Sequence, residues 1–262
     1  MNREAAIAFV RSTGDLVEQA RLRQLLDGAR PAPEVIQQLF AGQHEDGGWS
    51  PFWAPEYSSL DATCFHVAQA EQLGLTASEV VVSQALTFLA RRQHADGSWE
   101  EEERMAEVTP PWATPGVLAA HLYLTANCGF WLAVWEDPGE NARRAAIYLQ
   151  RHLVEEGQLP TFLHAHWLAG GLWYRIHWPE ANRVFSSLQQ RLSDLAVSNL
   201  AWLLSTLLLA GVAADHPLIA QAASRLEQQQ EQDGRWPSED GSARDAHTTL
   251  EAMRVLRLCR RF

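Results

Sequence analysis

A seven-residue phrase occurs three times in this chain, as Gln43-His44-Glu45-Asp46-Gly47-Gly48-Trp49, Gln93-His94-Ala95-Asp96-Gly97-Ser98-Trp99 and Gln230-Glu231-Gln232-Asp233-Gly234-Arg235-Trp236. A pattern Q-x-x-D-G-x-W recurring in one polypeptide implies a fold made by stacking one supersecondary unit. Each copy follows one helical pattern and precedes another. Pro31-Ala32-Pro33 opens a run with Val35, Ile36, Leu39 and Phe40 at helical spacing, and Asp46-Gly47-Gly48 ends it. The repeating unit therefore reads as helix, turn, loop, helix.

The first two copies lie 50 residues apart and the last two 137 apart, so about two units between them have lost the signature. Gln150, followed by Glu155-Glu156-Gly157-Gln158-Leu159-Pro160, reads as one worn copy and Gln189-Gln190 as the start of another. On this basis the chain carries helices near 3–11, 16–27, 34–42, 59–74, 79–92, 115–128, 140–154, 162–176, 180–191, 194–211, 216–231 and 245–260. Twelve helices make six hairpins. Laid side by side, six hairpins can close into an all-α, α/α toroid with an inner and an outer ring of helices, and 1–262 is expected to be one domain.

The formal charge is −11, with 32 acids against 21 bases, all of them Arg. Nucleic acid is not an expected partner, because phosphate binding depends on clustered positive charge. Cys64, Cys128 and Cys259 are odd in number and lack a C-x-x-C pattern, which suits a reducing, cytoplasmic setting. No signal peptide is read at Met1-Asn2-Arg3-Glu4. The apolar stretch Leu195 to Ala214 has about the length of a membrane span, but a helix buried inside a two-layer ring reads the same way.

In the repeated phrase, Gly takes a left-handed helix exit, Asp bonds nearby amides, and Gln and Trp are expected to lock neighbouring hairpins together. The phrase resembles the QW-type signature of the squalene and oxidosqualene cyclases, whose repeat family includes the protein prenyltransferase β subunits. The resemblance covers nearly the whole chain and implies the toroid fold. It further implies an isoprenoid or other apolar small molecule in a central aromatic cavity, cyclised by proton-initiated chemistry without a cofactor. Class II cyclases protonate an alkene with an Asp of a D-x-D-D motif, and no D-x-D-D occurs here.

The prenyltransferase side of the resemblance implies a zinc site of Asp, Cys and His, for which this chain offers Asp61, Cys64 and His247, and a partner subunit. Such a set with one open position would make a catalytic zinc. The residues also admit a purely structural role. Ser58-Ser59-Leu60-Asp61 and Ser242-Ala243-Arg244-Asp245 are both S-x-x-D helix starts, which makes Asp61 and Asp245 candidate capping acids and aligns Thr63 with His247.

Seven tryptophans, from Trp112 to Trp202, crowd the middle of the chain. Aromatic faces suit an isoprenoid or a carbocation, so Trp112, Trp167, Trp173 and Trp202, with His166 and Tyr57, are the candidate substrate contacts. His164 and His166 lie two residues apart, on different faces of a helix, so one of them is expected to face the cavity as acid, base or diphosphate contact. Asp194, before the most apolar helix, is either a desolvated acid or a helix cap. The candidate catalytic set is thus Asp194, His164, His247 and Asp245, and the Glu100 to Glu103 run reads as a solvated loop. Other classes remain open: a non-catalytic toroid binding a peptide on its rim, a glycosidase with paired carboxylates, or peripheral contact with a membrane.

Overall fold

The computed structural model describes residues 1–136 and 138–262, and among them lie twelve α-helices and no strand. They are α1 (Arg3–Thr13), α2 (Leu16–Asp27), α3 (Pro33–Phe40), α4 (Leu60–Gln72), α5 (Val80–Arg91), α6 (Leu118–Trp135), α7 (Glu140–Gln150), α8 (Leu163–Arg175), α9 (Glu180–Gln190), α10 (Val197–Leu209), α11 (Pro217–Gln228) and α12 (Asp245–Leu258). Local chemistry accounts for many of the ends. Asp15 and Glu18 form a reciprocal capping box on α2, Gly28 closes that helix in the left-handed conformation, and Pro217 opens α11.

The largest departure from the expected boundaries is α6, which runs on to Trp135 rather than stopping near residue 128. Gly129 sits inside the helix. A Cβ there would lie 2.7 Å from the Ala145 Cβ on α7, so this glycine permits a close helix crossing. α10 is also shorter than the apolar run suggests, and among the described residues no helix is long and apolar enough to cross a membrane.

Residues 37–187 form one compact unit, and residues 1–36 with 188–262 form another. In the first, α6 is central and packs against α4, α5, α7 and α8 around fully buried Trp99, Phe130, Trp167 and Trp173. In the second, α12 is central and packs against α1, α2, α10 and α11, with Trp236 fully buried. This second unit joins the two ends of the sequence: Gln230 Nε2 donates to the Asn2 carbonyl at 2.9 Å.

The repeated phrase does the same structural work in each copy. The Trp indole donates to the carbonyl ten residues earlier, Trp49 to Leu39 at 3.2 Å, Trp99 to Leu89 at 2.7 Å and Trp236 to Leu226 at 2.7 Å. The Trp backbone N–H donates to a buried threonine, Thr63, Thr125 or Thr249 respectively. The Gln side-chain amide donates both to the glycine carbonyl within its own turn and to the neighbouring hairpin, at Val81, Asn141 or Asn2. Gly47, Gly97 and Gly234 have positive φ and lie so close to the backbone of Gln84, Arg144 and Ala5 that a Cβ would clash at 2.4, 2.4 and 2.2 Å.

The worn copies fit the same scheme in a shifted register. Gly157, with φ 75°, packs on the Arg183 carbonyl as its counterparts do, which puts Leu153 rather than Gln150 in the place of the phrase's Gln and Leu159 in the place of its Trp. In three successive turns an arginine bonds the turn's carbonyl: Arg144 to His94, Arg183 to Val154 and Arg225 to Ser193. The last of these marks Ser193-Asp194 as the remaining worn turn.

Candidate active site

The first turn of α4 is held by another segment of the chain. Ser59 caps it, its Oγ accepting from the Ala62 N–H at 3.2 Å. Glu101, in the loop after Trp99, accepts from the Leu60 N–H at 2.9 Å and from Ser59 Oγ at 2.8 Å through Oε1, and from the Tyr57 hydroxyl at 2.9 Å through Oε2. With these amides already served, Asp61 does not act as a cap.

Instead Asp61 accepts three side-chain hydrogen bonds: from Tyr123 OH at 2.7 Å, from the Trp112 indole at 3.1 Å and from Asn127 Nδ2 at 3.3 Å. Tyr123 and Asn127 are one turn apart on α6 and so share a face. Burial pushes the Asp61 carboxyl above its ordinary range, and the three bonds, together with the charge of His164, only partly oppose this. Asp61 retains partial access to solvent. Phe162 meets the Tyr123 ring edge-on at 6.4 Å, and His164, at the start of α8, meets Trp167 edge-on at 5.1 Å. The arrangement is an acid with raised proton affinity in a mainly aromatic wall.

Glu101, only 1 % exposed, is pushed up to about 7, mainly by burial and further by the charge of Asp61. The Glu100 to Glu103 run is therefore not a solvated face throughout: Glu101 is buried, and Glu100 contacts His121 and the Gly116 amide. Desolvation is also the main reason that Tyr57 is raised to about 12. Tyr57 is a buried strut, taking hydrogen bonds from Arg92 and the Glu102 N–H, rather than a surface for substrate.

Cys64 lies one turn after Asp61 with its sulfur 3.9 Å from that of Cys128, and burial raises its thiol well above the ordinary range. His247, on α12, accepts from Arg21 Nη1 at 3.0 Å through Nδ1, and burial, reinforced by that guanidinium, lowers it to about 4. Arg21 also bonds Glu251 at 2.7 Å, and Arg254 bonds Ser205 at 2.9 Å. Positions 247, 251 and 254 share one face of α12. Asp61 and Cys64 belong to residues 37–187 and His247 to the other unit, and among the described residues no group of three or more His, Cys, Asp and Glu could hold a metal ion.

Several other expected site residues take structural roles. Asp194 is exposed in a short 3-10 turn, bonded by Ser193 Oγ at 3.1 Å, and the N-cap of α10 is Ala196, so Asp194 is neither a desolvated acid nor that helix's cap. Asp245 is buried and accepts from the Ser238 N–H at 2.8 Å beside the Arg235 guanidinium. His166 accepts from the Leu159 N–H at 3.0 Å, the bond a threonine makes in the intact copies, so it belongs to the repeat and not to a substrate wall. Trp167 and Trp173 are wholly buried in the core, and Trp173 bonds the Ala146 carbonyl. Trp112 and Trp202 remain half-buried. Tyr123, Asn127 and Glu101 were not expected; the sequence signal for the first two is a polar pair four residues apart in a largely apolar helix.

No protein-family model matches the chain, and no curated protein matches it. Solved structures do. The type II terpene cyclase MstE from Scytonema, without ligand, matches with a TM-score of 0.65 at 16 % identity, over 99 % of this chain and 97 % of that one. An MstE variant in complex with geranylgeranyl dihydroxybenzoate, its substrate, matches at 0.63 and 14 % identity over 98 % and 95 %. A protein from Actinoplanes matches at 0.57 and 18 % identity over 94 % and 89 %. At these identities the likeness shows the fold: an all-α, α/α toroid of the terpene-cyclase type.

Proposed function

We propose that this protein is a proton-initiated cyclase of an isoprenoid-type substrate, with Asp61 as the general acid. The observation that carries the reading is the Asp61 carboxyl itself, half-buried, high in proton affinity and held by Tyr123, Trp112 and Asn127. The Asp61 O–H bond breaks as a C–H bond forms at a terminal alkene carbon, leaving a carbocation on the substrate and a carboxylate on Asp61. The three donors stabilise that carboxylate as its charge develops, which favours transfer. The cation is attacked by the next alkene, and loss of a proton from the cyclised product completes the reaction. The faces of Trp112, Tyr123 and Phe162 suit a passing positive charge.

The repeat supports the same reading, since we group its phrase with the QW type of the squalene cyclases and prenyltransferases. The substrate bound in an MstE structure is geranylgeranyl dihydroxybenzoate, which favours a prenyl chain as the apolar partner here. The reading is tested by incubating the purified protein with prenyl diphosphates, prenylated benzoates and terminal epoxides and analysing products by mass spectrometry. Cyclised product in the wild type and none in Asp61→Asn is the expected result. A protein that binds and converts none of these compounds is not such a cyclase.

A further inference from the structure

The first copy of the phrase carries a chain of four polar side chains, Asp46, Ser58, His44 and Ser50. Asp46 Oδ1 accepts from the Gly48 N–H at 3.0 Å, a turn bond that Asp96 and Asp233 also make. In the second copy the aspartate is further bonded by a hydroxyl of its own turn, Ser98, at 2.7 Å. Gly48 stands at that position in the first copy, where a Cβ would lie 2.7 Å from the Ser58 Cβ, so the glycine leaves room for a serine from the following loop. Ser58 Oγ, buried, donates to Asp46 Oδ1 at 2.8 Å and meets His44 Nδ1 at 2.8 Å. His44 Nε2 in turn meets Ser50 Oγ at 2.9 Å. At the matching places the second copy has His94 and Glu100, 3.7 Å apart, and the third has Glu231 and Pro237, so the first copy alone sets a hydroxyl after its tryptophan.

The donors fix where the protons lie. Ser58 has one O–H, which it gives to the Asp46 carboxylate, so its oxygen accepts from His44 Nδ1–H. Neutral His44 then carries its lone pair on Nε2 and accepts there from the Ser50 hydroxyl. Ser50 has a second acceptor in reach, the Pro55 carbonyl, and turns its O–H there once His44 is protonated. A hydroxyl bonded to a base whose other nitrogen is held by a third group is the arrangement that activates a nucleophile. We propose that Ser50 is an acyl-accepting nucleophile for activated carboxylic esters, with His44 as its general base and Ser58 and Asp46 as positioning residues. The inference does not rest on the reading of Asp61 as an acid. Ser50 Oγ bonds the ester carbonyl carbon as its proton passes to His44 Nε2, and the C–O bond to the alcohol breaks as the alcohol leaves with that proton. Water then attacks the acyl carbon, gives a proton to the same nitrogen and releases the acid, and the proton returns to Ser50. Ser50 and His44 are both half-buried and keep access to solvent, and Phe52, 86 % exposed in the same loop, offers an apolar face to an acyl chain. The groups facing His44 are the two serine hydroxyls and, through Ser58, the Asp46 carboxylate; Glu45 in the turn and Glu56 in the loop are the nearest further acids in sequence.

The test is acylation of the full chain by p-nitrophenyl acetate and p-nitrophenyl butyrate, read as p-nitrophenol release and by peptide mass mapping. The chain has no lysine to compete for the ester. The expected result is an acyl group on Ser50, absent in Ser50→Ala, formed at a rate that falls at least about 100-fold in His44→Gln. Ser58→Ala is expected to lower the limiting rate about tenfold or more and to leave the half-saturating ester concentration unchanged, since it disturbs the base and not the binding of ester. Acylation that misses Ser50, or that proceeds at an unchanged rate in His44→Gln or Ser58→Ala, overturns the proposal. Should the variants fail to fold by circular dichroism, the wild-type pH–rate profile decides. A base of this kind gives a rate that is lost in acid, where Ser50 turns to Pro55, and levels off in alkali. A rate that climbs in proportion to hydroxide with no plateau sinks the proposal.

Discussion

α4 and α12 each follow a complete copy of the repeated phrase and each carry an aspartate in the first turn, yet the two aspartates have opposite surroundings. Asp245 is answered by its own helix entrance, a backbone amide of Ser238 and the guanidinium of Arg235. Asp61 is answered by side chains from elsewhere, because Glu101 has already taken the amide of Leu60. An acid stands in the first turn of both helices, and its neighbours decide whether it stays a structural anchor. The expected alignment of Thr63 with His247 is off by two residues: the threonine that accepts the Trp amide is Thr63 in α4 and Thr249 in α12, so His247, which joins Arg21 in a buried cluster, stands where α4 has Asp61.

The comparison is broken most directly by changing the two aspartates. Asp61→Asn is expected to lower turnover at least about 1000-fold with the melting temperature nearly unchanged, as for loss of a positioned acid. Asp245→Asn is expected to leave turnover within about tenfold and to cost about 1–3 kcal/mol of stability, the penalty for weakening a buried, charged acceptor. Chemical denaturation and product assays on both variants check the pair. A large activity loss in Asp245→Asn with unchanged stability would reverse the assignment.

The α12 cluster should behave as structure. Glu251 lies below its usual range: burial pushes it up, but the Arg21 charge and the other cations outweigh that. Glu251→Gln leaves Arg21 buried without its counter-charge and is expected to cost about 3 kcal/mol in urea denaturation. Retention of full stability would imply that Arg21 is answered by something other than Glu251.

On the α4 side, pH reads Glu101. Glu101 has a folded-state pKa raised from about 4.5 to about 7, so its stabilising contribution is complete below about pH 4.5 and is lost as pH rises through about 7. Between about pH 5.5 and pH 7.5 this loss amounts to about 2 kcal/mol, and it should be absent in Glu101→Gln. Urea midpoints across that range measure it, and equal slopes in the two proteins would place the titrating group elsewhere.

Much of the fold was legible because the phrase uses glycine and tryptophan for jobs few residues can do. The positive φ and close backbone approach at Gly47, Gly97, Gly157 and Gly234 admit no side chain, so the worn copy at Gly157 keeps its glycine although its Gln and Trp are gone. α6 runs past its expected end near residue 128, and Gly129 within it serves a close helix crossing that exists only in three dimensions. The site was less legible for a related reason. Asp61 could be picked out, but the competition that frees it from capping comes from Glu101, about forty residues away and hidden inside an acidic run. His166 and Trp167 looked functional by composition and turned out to carry a repeat contact and a core position.

Asp194 gives the smallest effect and the cleanest control for that lesson. It lies in the worn turn whose Ser193 carbonyl is bound by Arg225, its side chain is 61 % exposed, and its Arg191 partner stands 3.9 Å away. An exposed pair of this kind is worth about 0–1 kcal/mol, and no helix amide depends on Asp194 because α10 is entered through Ala196. Asp194→Asn should therefore stay within about 0.5 kcal/mol of the wild type and leave turnover unchanged. If it instead abolished turnover while Asp61→Asn did not, the acid of this protein would belong to the turn of a repeat, and the contrast between α4 and α12 would carry no chemical meaning.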